Sequence, residues 1–198
     1  MPGREALLLA ATSAFARHGY DSVDLRSLAA AAKVDPGLVR VHFGGKEGLW
    51  LASIDHVASY TTQLHAEIRR LSAETRPLRQ RVTDAIRLTV NFHFNHPELG
   101  LFIAQQARES GTRLAALKER LLRPALDAFM PLLDQAVREG VTHASDPFIA
   151  FSILAGAFFW PSTAPDLVQS LSASPMDRSQ FQEHFLENLI AVFLSRPD

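Results

Sequence analysis

The stretch VDPGLVRVHFGGKEGLW, from Val34 to Trp50, decides the fold of the N-terminal part of the chain. An Asp-Pro pair favours a helix start, with Asp35 as the N-cap and Pro36 at the first helical position. A short apolar and basic segment follows and ends at Gly44-Gly45, where the backbone can turn freely. Another helical pattern opens at Lys46. The sequence therefore predicts a short helix that is presented outward between two turns.

Two helical patterns precede this segment. Apolar residues recur at helical spacing from Leu7, and the pattern ends near His18 and Gly19, as is typical of a helix C-terminus. Asp24 is a favourable N-cap for the next segment, LRSLAAAAK. Two helices joined by a tight turn form a helix-turn-helix, whose second helix lies in the major groove of DNA.

The rest of the chain also has helical periodicity. One pattern runs from Lys46 to about Leu71, and others cover about 77–95, 99–109, 114–139, 147–160 and 179–194. No strand alternation and no internal repeat is found. The sequence predicts an all-α protein in two parts, with a three-helix helix-turn-helix domain at residues 1–50 and a larger helical domain at residues 51–198.

The composition narrows the class of protein. The chain has 198 residues, 47% hydrophobic and 21% charged, which is typical of a globular protein. Twenty basic residues oppose twenty-one acidic ones, and there is no cysteine. The absence of cysteine excludes disulfides and thiolate chemistry and fits the cytoplasm. The longest apolar run, residues 148–161, is shorter than the ~18–20 residues of a membrane span, so no membrane partner and no signal peptide are expected.

The first fifty residues resemble the TetR family of bacterial transcriptional regulators. The stretch that carries the resemblance is AFARHGYDSVDLRSLAAAAKVDPGLVRVHFGGKEGLW. The positions that match the family pattern are Phe15, Gly19, Tyr20, Leu28, Ala29, Val34, His42, Phe43, Lys46, Glu47 and Leu49. The resemblance implies a DNA-binding helix-turn-helix domain, followed by a helical domain that binds a small effector and forms a homodimer.

Four positions depart from the family pattern. Asp24 replaces the usual Thr/Ser cap, Arg40 replaces the usual tyrosine of the recognition helix, and Val41 stands where a large polar residue is common. Lys33 replaces the turn glycine. A non-glycine residue in a left-handed turn costs roughly 1 kcal/mol, so we expect strain at Lys33.

The predicted DNA-binding residues lie on or beside the helix-turn-helix. Lys46 stands at a helix start, where backbone N–H groups also favour a phosphate. Arg40 and His42 can donate to phosphates, and Leu38 could pack on a thymine methyl group. The full set is Arg26, Asp35, Pro36, Gly37, Leu38, Arg40, Val41, His42 and Lys46. Residues 1–56 contain six cations and six anions, so we expect modest non-specific affinity and dependence on a dimer.

Aromatic residues are concentrated in the second part of the chain. Aromatic stripes at helical spacing usually form core, but helical bundles also hold ligands in apolar cavities with a few polar groups. The resemblance implies an effector pocket here, and the composition favours a mainly apolar or aromatic ligand. The predicted ligand-binding residues are Phe92, His93, Phe102, Gln106, Phe129, Phe151, Phe158 and Trp160.

Two helical segments are predicted to pair across a two-fold axis in a homodimer. The segment from Pro147 is apolar almost all round, and the last segment has a wide apolar stripe, so both need cover from a second chain. The predicted interface residues are Ser152, Ala155, Gly156, Phe181, Phe185, Leu189 and Phe193.

A competing interpretation is a helical metal-binding protein or enzyme built on His93, His96 and Glu98, a spacing that could ligate a metal. The sequence has no Ser-His-Asp arrangement and no phosphate-binding or dinucleotide fingerprint. We therefore expect no enzyme activity and no cofactor. The favoured prediction is a ligand-responsive transcriptional regulator, a repressor rather than an activator, that leaves a palindromic operator when a small apolar effector binds.

Overall fold

The computed structural model describes residues 2–174 and 176–195, and over these residues the chain is built from α-helices. The twelve helices are α1 (Pro2–Ser22), α2 (Leu25–Ala31), α3 (Gly37–Phe43), α4 (Lys46–Tyr60), α5 (Thr62–Ala73), α6 (Leu78–Asn95), α7 (Pro97–Gln106), α8 (Gly111–Leu117), α9 (Arg123–Arg138), α10 (Pro147–Thr163), α11 (Pro165–Ser170) and α12 (Arg178–Phe193). A π-helical turn, Lys118–Leu122, joins α8 to α9. The all-α prediction is confirmed for the part of the chain described.

The chain divides into two compact units. The N-terminal unit contains the residues up to Thr62 together with Leu101–Pro124, and the C-terminal unit contains Gln63–Gly100 and the residues from Ala125 onward. Residues 101–124 thus return to the N-terminal unit, which sequence periodicity does not reveal. The proposed functional boundary at residue 50 stays a prediction.

The N-terminal unit has its own apolar core. Phe15, Leu49 and Trp50 are fully buried in it. The Trp50 indole N–H donates to Gln106 Oε1 at 2.8 Å, and the Gln106 amide donates to the carbonyl oxygen of Phe15 at 2.9 Å. This pair of hydrogen bonds joins α1, α4 and the end of α7, and it satisfies two buried polar side chains.

The C-terminal unit is built around a second core, to which α5, α6, α9, α10 and α12 contribute. Leu133, Leu154 and Leu189 are among its buried side chains. The buried Arg81 guanidinium donates hydrogen bonds to the carbonyl oxygens of Leu71, Ser72 and Arg76 and to Gln135 Oε1. These hydrogen bonds compensate the burial of its charge and stabilise the connection between α5 and α6.

Several helices differ from the sequence prediction. The pattern from Lys46 breaks at Thr61, whose backbone N–H bonds to the carbonyl oxygen of Ala58 instead of continuing the helix. The pattern at 114–139 contains the π-helical turn. The helix α11 was not predicted, because a short PDLVQS segment after a proline gives no clear period. None of the helices among the described residues combines the length and the apolar character that crossing a bilayer requires.

Candidate DNA-binding surface and effector site

The turn between α2 and α3 is left-handed at a lysine. Lys33 has φ of 56°, its N–H donates to the carbonyl oxygen of Ala30 at 3.1 Å, and the N–H of Val34 donates to that of Ala29 at 3.0 Å. This is the conformation that glycine adopts without cost. The prediction that Lys33 takes a left-handed turn is confirmed, and α3 is set at a fixed angle to α2.

Carboxylates stabilise the starts of α2 and α3. Asp24 accepts hydrogen bonds from the backbone N–H and the hydroxyl of Ser27, both at 2.8 Å, and these bonds lower the pKa of its carboxyl. Asp35 accepts the N–H of Gly37 at 2.7 Å. The helix α3 therefore starts at Gly37, one residue later than predicted, with Pro36 at the N-cap. The role that the structure shows for Asp35 is closure of this turn.

Glycine at position 37 also has a structural effect, besides access of the backbone to DNA. A Cβ added at this position would lie 2.8 Å from Asp35 Oδ1, too close for a side chain without a shift of the Asp35 carboxylate. A side chain at this position would therefore displace the Asp35 carboxylate, which accepts the Gly37 N–H.

The outer face of α3 is exposed and carries one cation and one apolar residue. Arg26, Pro36, Gly37 and Arg40 are exposed, and Val41 is 74% exposed. On the opposite face of α3, Val39 is buried. An exposed helix between two left-handed turns, Lys33 and Gly44, has the form of a recognition helix.

Leu38 and His42 are less accessible than the sequence suggested. Both are half-buried. A Cβ placed at Gly3 would lie 3.6 Å from Leu38 Cδ1, so the start of α1 lies against this side chain. Among the predicted apolar contacts to DNA, Val41 is the more exposed, and it replaces Leu38 as the first candidate for a base contact.

Lys46 is half-buried and already has two partners. Its Nζ donates to the carbonyl oxygen of Asp21 at 3.1 Å and lies 4.8 Å from the centroid of the Tyr20 ring. The guanidinium carbon of Arg113 lies 4.3 Å from the same centroid. Lys46 is thus placed at the start of α4 as predicted, but its ammonium also ties α4 to the end of α1.

Arg4 joins this surface and was missed by the sequence analysis. It is exposed, and its guanidinium carbon lies 5.2 Å from the centroid of Phe43, the last residue of α3. No spacing rule connects two residues so distant in the chain, so only the packing of α1 against α3 could reveal this cation.

The predicted effector residues fall into two groups. Phe92, His93, Phe129, Phe151 and Phe158 belong to the C-terminal unit. There the His93 ring stacks on Phe158 with centroids 4.2 Å apart, and the Phe129 and Phe151 rings meet at 5.8 Å. These aromatic side chains form part of the core of that unit or pack against it, as the alternative interpretation expected.

Three predicted effector residues lie elsewhere. Phe102 and Gln106 belong to the N-terminal unit and are buried there, and both ends of the Gln106 amide are used by Trp50 and Phe15. Trp160 is 55% exposed on α10. The structure places Phe102 and Gln106 in the N-terminal unit and Trp160 on the exposed side of α10, and their part in an effector site stays a prediction.

His65 lies inside the C-terminal unit and was not singled out from the sequence. It is 5% exposed, on α5, and burial is the main cause that lowers its pKa. The pKa of His93 is lowered to about 4, mainly by burial and to a smaller extent by the nearby His96 and His65. The signal in the sequence was a histidine on the apolar face of a short amphipathic helix, which is too common to stand out.

The predicted dimer-interface residues also fall into two groups, one exposed and one covered within the chain. Ser152 and Gly156 are exposed on α10, beside the half-buried Ala155. In contrast, Leu189 and Phe193 are buried within the core of one chain, and Phe181 and Phe185 pack beside Phe94 with centroids 6.2 and 5.8 Å away. Most of the apolar stripe of α12 is thus covered within its own unit.

The helix α10 keeps a large apolar face uncovered. Phe148, Ile149, Ile153 and Trp160 are each at least half exposed. Gly156 lies on this face, and a Cβ added there would meet nothing within 4 Å. Exposed apolar residues at helical spacing on one helix are typical of an interface.

The metal-site alternative has no support in the geometry. Within the described ranges, no group of three or more His, Cys, Asp or Glu side chains is arranged to hold a metal ion. His93 is stacked between aromatic neighbours, whereas His96 pairs with Glu98 at 3.1 Å on the surface. The proline after His96 starts a new helix, so His96 stands at the C-cap of α6, beyond the helical residues that include His93.

Helices α1 to α4 form a helix-turn-helix DNA-binding domain. The model of the family described as bacterial regulatory proteins, tetR family, matches residues 7–52. By this domain, the chain is similar to the TetR family, and we assign the helix-turn-helix fold to its N-terminal residues.

Relatives and solved structures agree with this assignment. An HTH-type transcriptional repressor of Mycobacterium tuberculosis is 44% identical over 70 residues, which cover 33% of this chain and 37% of that protein. The repressor NicS of Pseudomonas putida is 23% identical over 152 residues, or 71% of this chain and 69% of that protein. The crystal structure of an HlyIIR mutant protein has the same fold, with a TM-score of 0.73 over 98% of each chain at 16% identity.

Proposed function

We propose that this protein is a transcriptional repressor that binds a two-fold symmetric operator as a homodimer and releases it when a small effector binds the C-terminal unit. The observation that carries the proposal is the exposed face of α3, with Arg40 and Val41 between the left-handed turns at Lys33 and Gly44. Such a helix fits the major groove, and two copies read two half-sites.

The names of two similar proteins support the repressor role. The Mycobacterium tuberculosis protein and NicS are both named as repressors. A regulator of this kind acts where the chromosome is, so we place it in the cytoplasm. We assign it no catalytic activity and no cofactor.

In this proposal, helix α10 forms the dimer interface. Two copies of its exposed apolar face, centred on Gly156, would cover each other and bring two recognition helices into one assembly. Leu189 and Phe193 are left out of this interface, because the chain already buries them.

The direct test is selection of bound sequences from a pool of random double-stranded DNA. We expect enrichment of a palindromic motif whose half-sites are separated by about one helical turn. A variant with Arg40→Ala and Val41→Ala serves as the matched control, since both residues are exposed and neither supports the core. The proposal fails if the wild-type chain enriches no sequence beyond this control.

A further inference from the structure

The first turn of α1 lies close to both ends of α3. At one end, a Cβ built at Gly3 would lie 3.6 Å from Leu38 Cδ1 and 3.7 Å from Val34 Cγ1. At the other end, the guanidinium carbon of Arg4 lies 5.2 Å from the centroid of the Phe43 ring. Two measured approaches, one of the Arg4 side chain and one of its chain neighbour, therefore define where Arg4 stands relative to the recognition helix.

The ring of Phe43 and the side chain of Arg40 share one flank of α3. Residues three apart on a helix are surface neighbours, with Cβ atoms about 5–6 Å from each other. Arg40 is exposed on this flank, next to the outward face that carries Val41. The guanidinium stacked on Phe43 therefore adds a second cation, that of Arg4, to the flank of Arg40.

Stacking on Phe43 leaves the hydrogen-bonding groups of Arg4 unused. A guanidinium has five N–H donors in its plane, and a phenyl ring has no lone pair to accept them. Arg4 is exposed, and among the residues that the structure describes it makes no hydrogen bond and no ion pair. The ring thus orients the guanidinium without satisfying its donors.

Arg113, in the same unit, is also stacked on an aromatic ring, but its charge is compensated. Its guanidinium carbon lies 4.3 Å from the centroid of Tyr20, and its Nε lies 2.6 Å from a carboxylate oxygen of Glu109. Within the described ranges, neither Arg4 nor Arg40 has such a carboxylate, so this flank of α3 keeps uncompensated positive charge. Positive charge beside a recognition helix favours the phosphates that border the groove.

We propose that Arg4 binds a phosphate group of the operator backbone, next to the phosphate that Arg40 is predicted to contact, and that Phe43 orients its guanidinium for this contact. A guanidinium presents parallel N–H donors that match two phosphate oxygens. Because phosphates carry no sequence information, Arg4 contributes affinity and the orientation of α3, whereas base preference belongs to the groove-facing residues. This inference rests on the proposed function, since it requires that α3 binds DNA.

The experiment measures binding of the full-length protein to the palindromic duplex from the random-DNA selection, at several salt concentrations. Arg4→Met keeps an unbranched stem that packs on Phe43 but removes the charge and the donors. We expect its affinity to fall about tenfold at about 0.1 M salt, and its salt slope to decrease by about one unit, as for Arg40→Ala. A selection repeated with Arg4→Met should return the same base preference, because the lost contact is to phosphate.

Three further variants separate charge from packing. Arg4→Lys keeps the charge and should retain the salt slope and most of the affinity. Phe43→Leu removes the stacking ring, and its effect on affinity should be smaller in the Arg4→Met background than in the wild type, since the two residues act as a pair. Arg17→Ala is the matched control, because Arg17 is exposed about 20 Å further along α1 and should leave binding unchanged. Circular dichroism verifies that each variant is folded.

Three results would overturn the inference: Arg4→Met with the affinity and salt slope of the wild type, an equal loss in Arg4→Lys, or a changed base preference in Arg4→Met. The same Phe43→Leu effect in both backgrounds would refute the orienting role of the ring. Failure of the proposed function is a different outcome, because the selection would then return no palindromic motif with the wild-type chain. A motif together with any of the three results leaves the regulator intact and refutes only the Arg4 contact.

Discussion

At the scale of single residues, Lys33 shows how this chain departs from a simple helix-turn-helix pattern. Its φ of 56° lies in the region where a side chain is disfavoured, and two backbone hydrogen bonds at Lys33 and Val34 hold it there. The neighbouring helices determine this backbone conformation, so the strain is compensated by their packing.

Replacement of Lys33 by glycine should relieve that strain. We expect Lys33→Gly to raise the free energy of unfolding by up to about 1 kcal/mol, because glycine adopts positive φ without a Cβ penalty. Lys33→Ala keeps the Cβ and removes only the exposed charge, so it should show no such gain. Urea denaturation of the three proteins is the measurement, and an equal effect of both substitutions would contradict the strain.

Arg40 and Val41 are adjacent on α3 but should act differently on DNA. Arg40→Ala removes a phosphate contact, so affinity should fall for all sequences and the salt dependence should decrease by about one unit of slope. Val41→Ala removes an apolar contact, so preference at one base pair should relax without a change in slope. Binding titrations at several salt concentrations measure both effects.

Arg87→Ala is the matched control for these titrations, since Arg87 is exposed on α6 in the other unit. It should leave affinity and salt slope unchanged. A control variant that behaved like Arg40→Ala would remove the argument for α3 as the recognition helix.

His93 should make the stability of the protein sensitive to acid. Its pKa is about 4 in the folded chain against 6.5 in an exposed imidazole, mainly because of burial. The unfolded chain therefore binds the proton more readily between these values. The stability that neutral His93 permits is complete above about pH 6.5 and is lost as the pH falls toward 4, by at most on the order of 3 kcal/mol.

His93→Phe tests this dependence, because the ring and its stacking on Phe158 are kept while the titrating nitrogens are lost. The slope of unfolding free energy against pH should be shallower in the variant over the range from 6.5 to 4. His184→Leu should leave it unchanged. His65, whose pKa is also lowered, accounts for a remaining slope in the same direction.

At the scale of helices, α10 and α12 have different outer faces although both are apolar in sequence. The apolar side of α12 is covered by the core of its own unit, around Phe94 and Leu189. The helix α10 has buried residues such as Leu154 on one side and exposed residues such as Ile153 on the other. Of the two, α10 is the helix that still requires a cover.

Gly156→Leu should prevent dimer formation without harming the chain. A Cβ added at this exposed position meets no atom of its own chain within 4 Å, and leucine favours a helix by about 1 kcal/mol over glycine. In a close helix pair, the added bulk would cost on the order of 1–3 kcal/mol. Sedimentation at micromolar concentration should show a shift from dimer to monomer.

Ala66→Leu is the matched control, because Ala66 is an exposed small residue on α5 in the same unit. It should remain dimeric. A wild-type chain that sediments as a monomer would overturn the α10 interface and, with it, the proposed two-helix recognition of DNA.

At the scale of the whole molecule, the chain passes between its two units three times, after Thr62, after Gly100 and after Pro124. Residues 101–124 provide Gln106 and Arg113, which contact Trp50 and Tyr20 of the N-terminal unit. An effector in the C-terminal unit can therefore act on the DNA-binding helices through a segment that is covalently continuous with its own unit. We propose a shift of population between dimers that fit the operator and dimers that do not.

Reciprocity tests this coupling. An effector that lowers operator affinity by a given factor must itself bind more weakly, by the same factor, to the operator-bound protein. For a small apolar compound that releases the selected operator, the affinity for the protein should be lower in the presence of that operator than in its absence, and unchanged by DNA of random sequence. A probe that binds tightly but leaves operator affinity unaltered would refute the coupling.

The sequence by itself determined the helix-turn-helix and the all-α class, because these depend on local signals. The cap at Asp24, the turn at Lys33 and the glycines after Phe43 act within a few residues of the chain, and each is found in the structure. Asp35 was predicted as the N-cap of α3, but it closes the turn before that helix and the N-cap is Pro36. Helical periodicity predicted most of the helices for the same reason. It failed where a short break or a π-helical turn changed the backbone within a continuous apolar pattern, and at the short helix α11.

Only the tertiary structure determined which side chains share one environment. Arg4 lies beside Phe43, Gln106 bonds to Trp50, and His65 lies near His93, although the members of each pair are distant in sequence. Periodicity identifies the buried face of a helix but not the residues that cover it. The same limit explains why the sequence could not show that Phe102 and Gln106 are buried in the N-terminal unit. Aromatic residues at helical spacing report burial, and burial alone does not distinguish a core from a binding site.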